Sequence, residues 1–65
     1  MTKKDRKEAL DFTCQKSKDG NLYYLLLSRS GAESFITDDA EMAKYYVRNF
    51  GYKVYAKCQD GYMVL

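Results

Sequence analysis

The hydrophobic pattern of this chain changes period twice. From Leu10 the apolar residues alternate, with Leu10, Phe12 and Cys14 on one side and Asp11, Thr13 and Gln15 on the other, as in a half-buried strand. Asp19-Gly20 follows as a hairpin signal, because both central residues of a type I′ turn need positive φ. The run Leu22 to Ser28 is apolar on both faces, which marks a central strand covered twice. With a two-residue loop, Cys14 would pair with Leu25 and Phe12 with Leu27, placing Leu22, Tyr24 and Leu26 together on the other face. Ser30-Gly31 is a second turn, and Ser34 to Thr37 a short third strand.

The period then becomes helical. Thr37 or Asp38 can cap a helix, with a capping box to Glu41 if Asp38 is the cap, while Arg48 and Gly51 mark its end. Ala40, Ala43, Tyr46, Val47 and Phe50 share one side, with Met42 at its edge. Glu41, Lys44, Tyr45, Arg48 and Asn49 take the other, where Tyr45 is an exposed aromatic able to anchor a partner or to pack along Arg48. After Gly51 the period of two returns, with Tyr52, Val54, Ala56 and Cys58 opposite Lys53, Tyr55 and Lys57. Asp60-Gly61 closes a hairpin that pairs Cys58 with Met63 and Ala56 with Leu65.

The predicted fold is α+β: an antiparallel sheet of four or five strands in the order β-β-β-α-β-β, with one helix packed on one face. Residues 1–9, nearly all charged or polar, read as an N-terminal arm, and 10–65 as a single domain. Sixty-five residues lie near the lower limit for a chain that folds without a disulfide, metal or partner. One short helix covers about half of one sheet face, so the second face, with Leu22, Tyr24, Leu26, Tyr55, Tyr62 and Val64, is expected to need a cover.

Composition narrows the chemistry. Histidine is absent, no glycine-rich phosphate loop or nucleophilic triad is present, and the Asp38/Asp39 pair is accounted for by the helix dipole, so catalysis is not expected. Cys14 and Cys58 are too few for a zinc site and are expected as reduced core residues, with a disulfide only if their strands are neighbours. No cofactor or metal is implied. The net charge of +2 is small; the first eighteen residues hold six basic and three acidic side chains. No apolar run is long enough to span a membrane and no leader pattern precedes the domain, which predicts a cytoplasmic protein.

No family presents itself through a residue motif. In general character, small and rich in tyrosine, the chain resembles the accessory proteins of bacteriophages, many of which bind and block a host protein. That resemblance implies an inhibitor of a host or defence protein. The expected function is a protein-binding module, acting as a homodimer and on a protein target through Leu22, Tyr24, Leu26, Tyr45, Tyr62 and Val64. The alternative is a binder of RNA or single-stranded DNA, with Tyr55 and Tyr62 stacking on bases and Lys53 and Lys57 meeting phosphates.

Overall fold

The computed structural model, which describes residues 2–64, places a helix where the alternation at Leu10, Phe12 and Cys14 predicts a strand. Helix α1 runs from Lys3 to Lys16, so the residues read as an arm are its first turns. Thr2 caps it: its Oγ1 accepts from the Asp5 N–H at 3.2 Å, and its own N–H donates to Asp5 Oδ2 at 3.3 Å. The side that meets the sheet carries Arg6, Ala9, Leu10, Thr13 and Cys14, continued by Ser17, a spacing of three and four. Half of that stripe is polar, which hides the helical period. Thr13 is buried and returns its hydroxyl to the Ala9 carbonyl at 2.7 Å. Phe12, assigned to the core by alternation, is 52% exposed under the Lys16 ammonium.

Asp19-Gly20 is likewise not a hairpin. It ends a 3₁₀ turn over Ser17–Asp19, with Gly20 at φ 94°. Asp19 accepts from the Asn21 N–H at 2.8 Å and from the Tyr23 hydroxyl at 2.9 Å. These bonds, the backbone one foremost, hold the Asp19 carboxyl below its usual pKa, and the carboxylate raises that of Tyr23.

The expected α+β class and antiparallel sheet are present. Strands β1 (Tyr23–Leu27), β2 (Ser34–Thr37), β3 (Lys53–Gln59) and β4 (Tyr62–Val64) lie in the order β2-β1-β3-β4. Helix α2 (Ala40–Phe50) connects β2 to β3. Its cap is Asp39, one residue beyond the expected candidates, whose Oδ1 accepts from Glu41 and Met42 N–H groups. Thr37 Oγ1 in turn accepts from the Asp39 N–H, and Gly51 ends the helix at φ 71°.

Leu25 and Leu26 are neighbours in β1, point to opposite faces, and are both 0% exposed. The sheet is therefore covered on both sides. Leu25 shares its face with Ile36 and Ala56, and Tyr23 with Cys58; α1 lies there, with Cys14 against Cys58. Leu26 shares the other face with Phe35 and Val54, under α2, where Tyr46 stacks on Phe35 at 4.5 Å between ring centroids. At Leu26 the face expected to lack a cover is thus part of the molecule's own core, and Leu26 is not available to any partner.

A bulge in β3 is the second departure from the expected pattern. Ala56 pairs with Leu25 but Val54 pairs with Leu26, leaving Tyr55 as the extra residue. The side chains before it change faces. Val54 moves to the α2 side and Lys53, opposite Leu27, to the α1 side. The Asp60-Gly61 hairpin does form, with φ of 57° and 88°, Cys58 opposite Met63, and Gln59 opposite Tyr62. The expected partner of Ala56, Leu65, lies outside the described residues.

Ser17 ties this hairpin to α1. Its buried hydroxyl donates to the Cys14 carbonyl at 2.7 Å and accepts from the Gly61 N–H at 3.0 Å, while its carbonyl accepts from Gly20 and Asp60. Ser17→Ala leaves a part-buried N–H without its acceptor and is expected to destabilise the fold by about 1–3 kcal/mol. Urea unfolding should show a lower midpoint at unchanged slope; an unchanged midpoint would refute the tether.

Candidate binding surfaces

Two concave surfaces flank β3, one on each side of the sheet. The first is a groove of about 380 Å³ between α2 and the sheet. Its floor is apolar, from Tyr24, Ala43, Val47 and Val54, and its charged rim is Lys44, Arg48 and Lys57. Among the described residues lining it there is no carboxylate. Ala43 is the buried residue of α2 and Tyr46 stacks on Phe35, while the Val47 flank of the helix beside Val54 is left open as the groove. Val47 and Val54 remain 39% and 43% exposed. Sequence periodicity assigns Val47 and Phe50 to the core, yet both stay in large part solvated.

The sequence-derived interface residues separate in the structure. Leu26 is core and Leu22 half-buried just before β1. Tyr24 lines the groove with the Lys57 ammonium 5.9 Å from its ring centroid. Val64, opposite Lys57, and Tyr62, opposite Gln59, extend this face onto β4; Tyr62 is 76% exposed. Tyr45 stands apart on the outer side of α2, its ring edge-on to Tyr46 and Phe50 rather than along Arg48. Of the residues read as nucleic-acid contacts, Lys57 and Tyr62 belong to the α2 side, while the bulge carries Lys53 to the other. The missed groove residues, Val47, Val54, Lys44 and Arg48, carry no sequence signal that distinguishes an open helix flank from a packed one.

The second surface is a cleft of about 460 Å³ at the opposite end of β1, lined by Arg6, Arg29, Lys53 and Tyr55 together with the turn after β1. Deeper in the α1 layer, the Cys14 and Cys58 sulfurs lie 2.8 Å apart as free thiols. Burial, followed by the hydrogen bond with Cys14, pushes the Cys58 thiol up to about 12.

No protein-family model, curated protein or solved structure matches this chain. No helix among the described residues is long and apolar enough to cross a membrane.

Proposed function

We propose that this protein is a non-enzymatic protein-binding module whose groove between α2 and β3 takes an acidic, apolar-anchored segment of another protein. The observation that carries the reading is the groove itself, an apolar floor with Val47 and Val54 exposed and a rim of Lys44, Arg48 and Lys57. An apolar centre with a charged rim is the arrangement of a protein interface. The sign of the rim favours a foreign acidic partner there over a second copy, since a two-fold contact through the groove would set these cations against themselves. Self-association finds a better place at the free edge of β4, where Tyr62 and Met63 are exposed. An inhibitor of a host or defence protein is a function such a small, preformed surface would serve.

Val54→Glu tests this by placing a carboxylate on the groove floor at an exposed position. Immobilised wild-type protein should retain a distinct set of proteins from an extract of its native cells, released by salt and lost with the variant at unchanged melting temperature. Equal retention by both would refute the groove. Sedimentation equilibrium separately tests the β4 contact, with about twice the 7.6 kDa chain mass expected; a monomer at high concentration would exclude it.

A further inference from the structure

The cleft beyond the bulge brings together three cations from separate parts of the chain. Arg6 comes from the inward side of α1, Arg29 from the turn after β1, and Lys53 from the start of β3. Each is distant from the others in sequence, so only the fold gathers them. Among the described residues no carboxylate lines the cleft, and none lies within ion-pair distance of these three side chains. Like charges brought together without a counter-charge repel, and the repulsion is relieved by binding an anion.

Arg6 supplies a second, independent sign. Its Nε is buried and has no hydrogen-bond partner among the described residues. Its guanidinium reaches the Ser28–Gly31 turn, with Nη2 3.9 Å from the position a Cβ on Gly31 would occupy. The remaining nitrogens of a guanidinium fork match the oxygens of phosphate. Tyr55, the bulged residue, also lines the cleft and is nearly half exposed, which provides an aromatic surface beside the cations.

We infer that this cleft binds a nucleoside phosphate, free or within a single strand, with Arg6, Arg29 and Lys53 meeting the phosphate and Tyr55 the base. Cations receive the phosphate charge, and an aromatic ring stacks on any base because every base presents a π-face. The site lies on the α1 side of the sheet and shares only Val54 with the groove.

The experiment titrates the full chain with three probes: inorganic phosphate, thymidine 5′-phosphate and a short oligothymidylate. Backbone amide resonances of residues 28–31 and the ring-proton resonances of Tyr55 report binding. Thymidine 5′-phosphate should move both signals, and inorganic phosphate should move the amides alone. Tighter binding of the oligonucleotide, falling with salt, would identify the strand as the source; equal affinity would identify the free nucleotide. Lys53→Gln and Arg29→Gln, both at exposed positions, should each weaken binding about tenfold, as loss of a charge-assisted contact does. Lys57→Gln, on the opposite face, should leave it unchanged. The proposal is overturned if no probe shifts residues 28–31, or if Lys57→Gln weakens binding as much as Lys53→Gln. It is likewise overturned if nucleotide binds no better than inorganic phosphate and leaves Tyr55 silent.

Discussion

Replacing Leu26 by lysine is expected to abolish cooperative unfolding of this protein. Leu26 lies in the central strand, is fully buried, and faces Phe35 and Val54 beneath α2. The substitution removes a buried side chain worth roughly 1.5–3 kcal/mol and introduces an ammonium for which that layer offers no carboxylate partner among the described residues. At about 0.05–0.15 kcal/mol per residue, a chain of this length has a total stability of only roughly 3–10 kcal/mol. Few other residues carry the core, whose fully or nearly buried apolar members include Leu25, Ala43, Ala56 and Cys58. Circular dichroism should show loss of both helix and strand signal without a thermal transition. A native spectrum with an unchanged midpoint would mean that Leu26 is a surface residue, contrary to the two-sided cover of the sheet.

Treatment with oxidised glutathione is expected to join Cys14 to Cys58 and raise the melting temperature by roughly 15 °C or more. The two sulfurs, 44 residues apart in sequence, already touch at 2.8 Å, and a bond of about 2.05 Å requires a further approach of under about 1 Å. In the reaction, Cys14, the more accessible thiol, displaces one glutathione thiolate and forms a mixed disulfide. Cys58 then attacks the Cys14 sulfur and releases the second glutathione; two protein thiols are oxidised as one glutathione disulfide is reduced. Because burial raises the Cys58 thiol above the usual cysteine range, its attack should accelerate as pH rises through the alkaline range. Thiol titration and intact mass, before and after reduction, follow the change. Two titratable thiols persisting after prolonged treatment, or glutathione retained as a stable adduct, would contradict the prediction.

The parts of this fold that were legible in the sequence are those in which local chemistry and burial agree. The β2 boundaries, the span of α2 to within its cap, and the Asp60-Gly61 hairpin follow from turn glycines, capping residues and period. Helix α1 was obscured because its inward side mixes Ala9, Leu10 and Cys14 with Arg6, Thr13 and Ser17. Those polar groups are accommodated by particular bonds, such as Thr13 to Ala9 and Ser17 to Gly61, which a hydrophobic pattern does not register. The alternation of Leu10, Phe12 and Cys14 imitates a strand, and without α1 one sheet face has no cover and Leu26 falls on the surface. The candidate surfaces were legible only in fragments: Tyr24, Tyr62 and Val64 for one, Lys53 and Tyr55 for the other. Their grouping depends on the bulge and on how α2 lies across the sheet, neither of which follows from residue type.

The extra residue in β3 gives the molecule a form of bookkeeping between its two sides. Tyr55 sets the parity of the strand, so the same single position decides that Val54 faces α2 and the groove floor, at the border with the cleft, while Lys53 faces the α1 side and the cleft alone. Shortening the strand by that residue would exchange the two, setting Lys53 on the apolar floor and Val54 among the cations. Point substitutions can alter either surface alone, but a one-residue insertion or deletion in β3 must alter both together. The two surfaces are thereby inherited as a unit with respect to chain length, however separate their ligands are.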